Sequence, residues 1–217
     1  MKERPILFSA PMVRSILAST KTQTRRVVKP QPIYDGRFAG GWKMLGKAGH
    51  EAATCSPLIA ELCPYGQPGD RLWLREAHWW FKDEHDPAIG YYPPKLTADD
   101  VEYRADGDDG RKVWRPSIHM PRWASRITLE ITSVRVERLQ DISEGDAQAE
   151  GCALECMTPT GGDSGSAIYG PGGYLALWES INGAGSWDAN PWVWVVEFKR
   201  VESGASGGAI TAIRPQT

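Results

Sequence analysis

A lysine and a threonine lie three residues apart near the start of the chain, in the stretch LASTKTQTRR at residues 17–26. If Lys21 lost its proton, it could deprotonate the Thr24 hydroxyl, which is inert at neutral pH without a base beside it. The neighbouring Arg25 and Arg26 disfavour a third positive charge and so favour a neutral lysine. The same stretch allows two other interpretations, a solvated helix end and a grip for nucleic-acid phosphates.

A short amphipathic helix is predicted just before this stretch, with Ser9 as its cap. Four apolar residues at helical spacing form its buried face: Met12, Val13, Ile16 and Leu17. The pattern ends near Lys21, and the β-branched pair Val27 and Val28 predicts extended chain after it. If a helical turn continued to position 24, the i, i+3 spacing would put the side chains of Lys21 and Thr24 on one face.

The remaining elements place this stretch in an α+β fold. Strands are predicted at about 4–8, 71–75, 101–106, 127–136 and 191–201, from β-branched and alternating apolar residues. Val134 and Val136 fall out of phase with the strand before them, which predicts a bulge near Ser133. The segment DISEGDAQAEG predicts a short helix capped by Ser143 and ended by Gly151, and YLALWESI predicts a second one.

One domain over residues 1–202 is expected from a chain of 217 residues. Segments rich in glycine, proline and polar residues predict loop insertions at about 31–68, 82–99 and 154–172, and a disordered tail at 203–217.

The composition excludes several function classes. The formal net charge of −2 argues against a non-specific nucleic-acid coat, although it allows a local basic cleft. No apolar run is long enough for a membrane span or a signal peptide, so a cytoplasmic protein without membrane contact is expected. The cysteines fit no standard zinc motif: Cys55, Cys63, Cys152 and Cys156. No metal and no cofactor are therefore predicted.

The order of these motifs resembles the ASCH domain family, and more narrowly its prophage-type members. The family motif Gly-x-Lys-x-x-x-x-Arg is matched by Lys21 and Arg26, with Ser19 in place of the glycine. The resemblance covers most of residues 4–201. It implies a PUA-like β-barrel flanked by short helices, with the loop insertions outside the common core.

One branch of the family consists of small amidohydrolases that remove acyl groups from the exocyclic amine of cytidine, without a metal. The resemblance implies Thr24 as the nucleophile, Lys21 as its base and Glu150, in the later helix, as the acid and base. Arg26 would support the charge of the pocket. The implied reaction converts an N4-acylcytidine, such as N4-acetylcytidine, and water to cytidine and a carboxylate.

Three further residues are weaker candidates for substrate binding. Glu76 ends a predicted strand and could face the same cavity, or form an ion pair at its rim. Trp123 could stack on a pyrimidine and Arg122 could meet a phosphate, or both could belong to a packed loop. Two alternatives to the amidohydrolase stay open: a binding module for single-stranded RNA or a modified base, and a ribonuclease.

Overall fold

The computed structural model describes residues 1–34, 42–45, 51–53, 60–80, 97–151 and 171–201. Within these ranges the strands are β1 Glu3–Leu7, β2 Gln23–Val27, β3 Ile33–Tyr34, β4 Trp42–Leu45, β5 Glu51–Ala53, β6 Arg71–Arg75, β7 His78–Trp80, β8 Val101–Tyr103, β9 Thr128–Arg138 and β10 Trp192–Val201. The α-helices are α1 Ala10–Leu17, α2 Glu144–Ala149 and α3 Pro171–Asn182. The mixed α+β class is therefore confirmed.

A five-stranded sheet with the order β1-β6-β9-β10-β2 forms the centre of the fold. Strands β1 and β6 are parallel, whereas β6, β9, β10 and β2 pair antiparallel. Strand β2 is an edge strand of this sheet, so one side of its backbone has no strand partner among the described residues.

Strand β10 is buried on both faces, so the sheet is covered from two sides. Trp194 and Val196 pack in the cluster that also holds Val13 and Ile16 of α1. The two valines at 193 and 195 pack in a second cluster with side chains of α2 and α3. Because successive residues of a strand point to opposite faces, the near-continuous apolar run VWVV follows from this two-sided burial.

Local signals predicted the ends of α2 and the bulge in β9 correctly. Ser143 and Asp146 form a reciprocal capping box at the start of α2. Gly151 follows its end with a φ of +75°, a left-handed conformation that favours glycine. The pairing of β9 with β10 shifts register next to Ser133, where the sequence predicts a bulge.

The insertion predicted as a loop at 31–68 is corrected by the structure, because it contains β3, β4 and β5 in a separate antiparallel sheet. Short strands of two to four residues lack the length over which alternation can be read from a sequence. Residues 82–96, 154–170 and 203–217 of the other predicted insertions and the tail lie outside the described residues. In the part of the chain that is described, no helix has the length and apolar character needed to cross a membrane.

Candidate active site

The alternation of β2 distributes the motif side chains between the two sides of the sheet edge. Arg25 points to the side of α2, where it contacts acidic residues. Arg26 points to the opposite side, where its Nη2 donates to the backbone oxygen of Leu7 at 2.7 Å. By the same period of two residues, Thr24 shares the side of Arg26, and Gln23 shares that of Arg25.

Lys21 and Glu150 form a buried pair at the start of this edge. The Lys21 side chain is fully buried and that of Glu150 is 3% exposed. Lys21 Nζ lies 2.7 Å from Glu150 Oε2 and donates a second bond of 2.7 Å to the Glu150 backbone oxygen. The backbones meet here as well, since Thr22 N donates to Ala149 O at 2.8 Å. The structure thus brings together two residues that lie 129 positions apart in the sequence.

Arg25 connects this pair to a larger group of charges. Its side chain is fully buried, and its guanidinium lies 3.3 Å from both Glu150 Oε1 and Asp146 Oδ2 and 2.5 Å from Glu137 Oε1. The Gln23 amide donates to Asp146 Oδ1 at 3.0 Å. Burial alone would raise the pKa of Asp146, but hydrogen bonds from Ser143 and Gln23 and the charge of Arg25 lower it to about 2.

A cavity of about 250 Å³ crosses the free edge of β2 beside this group. Its lining combines Glu150, part of β2, one residue of α1 and an apolar wall from α3: Met12, Thr24, Arg25, Arg26, Val27, Lys29, Tyr65, Glu150, Tyr174, Leu177, Trp178, Ile181 and Asn182. Its volume is just below the range of about 300–1,000 Å³ that is common for ligand pockets, so it suits a small ligand.

The backbone of β2 faces this cavity at alternate residues. Val28 N donates to Trp192 O at 2.9 Å, and Phe198 N donates to Thr22 O at 2.8 Å. In an antiparallel pair, this pattern turns the N–H and C=O groups of the even-numbered residues of β2 toward β10. The corresponding groups of Arg25 and Val27 therefore point outward to the cavity, where a flat ligand with donors and acceptors on its edge could bind them.

The helical spacing expected for Lys21 and Thr24 is wrong. Helix α1 ends at Leu17, and Thr24 belongs to strand β2. In extended chain, an i, i+3 pair does not share a face. The link between the two residues is Glu150 instead, which contacts Lys21 and lines the cavity together with Thr24.

Of the four predicted substrate-binding residues, the lining of this cavity includes Arg26 and not Glu76, Arg122 or Trp123. Glu76 is 1% exposed, and its carboxylate accepts two hydrogen bonds from Arg126, at 3.0 and 3.2 Å. Burial raises the pKa of Glu76, and the contact with Arg126 partly offsets that effect.

Arg122 and Trp123 lie together on a surface turn. Arg122 forms an exposed ion pair with Glu3 at 3.1 Å. Trp123 is 43% exposed, and its ring centroid lies 5.3 Å from that of Trp80. The assignment of both residues to substrate binding stays a prediction.

Sequence reasoning did not single out Arg25 as a site residue, nor the wall of Tyr174 and Trp178. The alternation of a strand through QTRR was the available signal for Arg25, because it separates the two arginines onto opposite sides. No local signal exists for the wall, because α3 is brought to β2 only by the tertiary fold. Trp178 is 3% exposed, and its indole nitrogen has no hydrogen-bond partner among the described residues.

Comparison with known proteins gave no match, since no family model, curated protein or solved structure is similar to this chain. Within the described ranges, no group of three or more His, Cys, Asp or Glu side chains is arranged to hold a metal ion. Cys63 is a buried free thiol, and the other three cysteines fall outside these ranges.

Proposed function

We propose that this cavity is the active site of an amidohydrolase that removes acyl groups from the exocyclic amine of cytosine nucleosides. The observation that carries the proposal is the buried contact of 2.7 Å between Lys21 and Glu150, at a cavity that Thr24 also lines. Thr24 and Glu150 line the cavity, and Lys21, which is not part of the lining, contacts Glu150. A nucleophile, a base and an acid with complementary proton chemistry are thus connected through Glu150.

The proposed first step acylates Thr24. Lys21 passes its proton to Glu150 along their hydrogen bond, and the neutral amine then takes the proton of the Thr24 hydroxyl as its oxygen attacks the acyl carbon. The protonated Glu150 gives its proton to the cytosine nitrogen as the carbon–nitrogen bond breaks. Free cytidine leaves, and the acyl group remains on Thr24 as an ester.

In the second step, water regenerates the enzyme. The Glu150 carboxylate takes a proton from water as the water oxygen attacks the ester, and the carboxylic acid product is released as the ester bond breaks. Lys21, which is now an ammonium, returns its proton to the Thr24 oxygen. Glu150 then returns its added proton to the neutral amine of Lys21 along their hydrogen bond, so the pair regains its initial charges.

The edge of β2 suits recognition of the base. Cytosine carries acceptors at O2 and N3, and its acylated amine keeps one N–H donor. The outward backbone groups of Arg25 and Val27 offer donors and acceptors of the complementary kind. The buried indole N–H of Trp178 is a further donor in the lining, and it could meet the acyl oxygen or O2.

The ASCH family, with its PUA-like barrel, is part of this proposal, and the backbone at Ser19 supports it. Ser19 stands where the family has glycine. Its φ is +60°, a conformation that residues other than glycine rarely adopt. A glycine at that position in the family would be explained by the same turn into the motif lysine. A cytoplasmic location accords with a nucleoside substrate.

Turnover of N4-acetylcytidine tests the proposal directly, by the ultraviolet change as cytidine forms. We expect Thr24→Val to lower kcat by about 10³-fold or more, because it removes the nucleophile while keeping the shape of the side chain. Lys21→Ala should lower it by about 10²-fold to 10⁴-fold, the usual range for a general base.

Thr22→Val is the matched control, because Thr22 is an exposed threonine of the same motif and does not line the cavity. It should keep wild-type activity. An inactive wild type, or a Thr24→Val variant as active as Thr22→Val, would contradict the enzyme proposal. Binding of cytidine without turnover would point to a base-binding module instead.

A further inference from the structure

Two cations at the cavity have no acidic partner among the described residues. Arg26 and Lys29 line the cavity, and neither forms an ion pair with a described acidic side chain. Among the described residues of the lining, Glu150 is the single acidic one, and its carboxylate already contacts Lys21 and Arg25.

The connected charges behind the cavity have an excess of one negative charge, which is smaller than the two positive charges of Arg26 and Lys29. This group, which is only partly buried, contains three cations, Lys21, Arg25 and Arg135, and four acids, Glu137, Asp146, Glu150 and Glu197. All of them are connected by ion pairs. The positive charge at the cavity therefore exceeds the negative charge, in a chain whose formal net charge is −2.

Arg26 is held in place while part of its donor set stays unused. Its Nη2 donates to Leu7 O at 2.7 Å, and its guanidinium lies 5.3 Å from the centroid of the Phe8 ring. Its Nε is buried and has no hydrogen-bond partner among the described residues. A fixed guanidinium with free donors is well suited to bind an anionic oxygen, because little side-chain entropy is lost on binding.

Lys29 adds a second charge two residues after the end of β2. It is exposed, so its ammonium can approach a group that projects from the cavity toward solvent. The cavity therefore has a half-buried part that suits an uncharged ring and a cationic part formed by Arg26 and Lys29.

We propose that Arg26 and Lys29 bind a phosphate of the substrate, so that the preferred substrate is an acylated cytosine nucleotide and not the free nucleoside. The identity of the base rests on the proposed function above, whereas the preference for a phosphate rests on these two cations. A mononucleotide and a cytidine at the end of an RNA strand offer the same phosphate chemistry.

The ratio of kcat/KM for the 5′-monophosphate of N4-acetylcytidine to that for N4-acetylcytidine measures this preference. We expect a ratio of about ten for the wild type, as for a hydrogen-bonded charge pair that is partly shielded from water. Lys29→Gln should lower the ratio by about threefold, as an exposed cation contributes little. Lys29→Glu should lower it further, and added salt should reduce the wild-type ratio.

Lys2→Gln is the control, because Lys2 is an exposed lysine that does not line the cavity. Its ratio should equal that of the wild type. A wild-type ratio near one, or a ratio that Lys29→Glu leaves unchanged, would overturn the inference while the amidohydrolase proposal stands. A short RNA with a terminal acylated cytidine, assayed beside the mononucleotide, shows which of the two sources of phosphate the site prefers.

Direct binding separates this inference from the proposed reaction. If neither acylated compound is hydrolysed, the reaction is wrong, and calorimetric titration with cytidine 5′-monophosphate and cytidine tests the cations alone. Tighter binding of the monophosphate, reduced in Lys29→Glu and by salt, supports the phosphate site. Equal affinity for the two compounds overturns it.

Discussion

Gly151→Ala is expected to separate the two halves of the Lys21–Glu150 pair. Gly151 has a φ of +75°, and a Cβ added there would lie 2.8 Å from Lys21 Cβ and 2.9 Å from Ser15 Cβ. Neither neighbour can move easily, because Lys21 N donates to Ser15 O at 3.1 Å and Thr22 N donates to Ala149 O at 2.8 Å. The end of α2 and the segment before β2 must therefore move apart.

Two effects contribute to the expected loss of stability. The left-handed backbone costs an alanine about 1–2 kcal/mol, and the added methyl group in a packed site costs about 1–3 kcal/mol more. Gly185→Ala isolates the first effect, because Gly185 has the same φ of +75° and nothing within 4 Å of its added Cβ. The difference between the two variants therefore measures the clash at Lys21.

Urea unfolding followed by tryptophan fluorescence gives both free energies of unfolding. Gly151→Ala should be less stable than Gly185→Ala by about 1–3 kcal/mol, and each kcal/mol should lower Tm by about 2–4 °C in a chain of this size. Equal stability of the two variants would refute the close approach of Gly151 to Lys21. If Lys21 and Glu150 act as proposed, their change of position should also lower turnover of N4-acetylcytidine by up to about 100-fold in Gly151→Ala alone.

Four further outcomes follow from the same contacts. Lys21→Met should lower the free energy of unfolding by about 3 kcal/mol, because it leaves the buried Glu150 carboxylate with one partner fewer. The double variant with Glu150→Gln should regain part of that stability but should not turn over N4-acetylcytidine. Glu76→Gln should lower the free energy of unfolding by about 1–3 kcal/mol and leave KM for N4-acetylcytidine unchanged; a raised KM would place it at the substrate. The pKa of Asp146 is lowered from 3.8 to about 2, so its charged form stabilises the fold above pH 3.8 and this contribution is lost as the pH falls through about 2. Asp146→Asn should therefore be less stable than wild type at neutral pH, with a difference that shrinks between those two values; a difference independent of pH would contradict the ion pairs. Ser19→Gly should raise the free energy of unfolding by about 1 kcal/mol, because Ser19 has a left-handed φ of +60°, and a destabilised variant would contradict that conformation.

The local elements could be predicted from the sequence because their signals are local. The cap at Ser143, the glycine stop at Gly151 and the bulge near Ser133 each depend on residues within a few positions of one another. The amphipathic pattern of α1 and the apolar run of β10 likewise indicated where the chain would be buried. The short strands at 33–53 were missed for the same reason, because they are too short to carry a pattern.

The candidate site could be assembled only from the sequence and the tertiary structure together. The sequence, through its resemblance to a family, selected Lys21, Thr24 and Glu150, and the structure pairs the first with the last at 2.7 Å. The reason given for Lys21 and Thr24, a shared helical face, was wrong, because strand pairing with β10 overrode the continuation of the helix.

What the sequence determined by itself is the set of longer elements that carry a local pattern, such as α1, α2, β9 and β10, and the chemical types available at the motif. Only the tertiary structure decided which of two adjacent arginines became buried. Arg25 faces three acids and is enclosed, whereas Arg26 faces the cavity with a donor unused. The physical reason is that the partners of Arg25 come from positions more than 100 residues away, and the pairing of β2 with β10 fixes which side chain of the edge strand meets them.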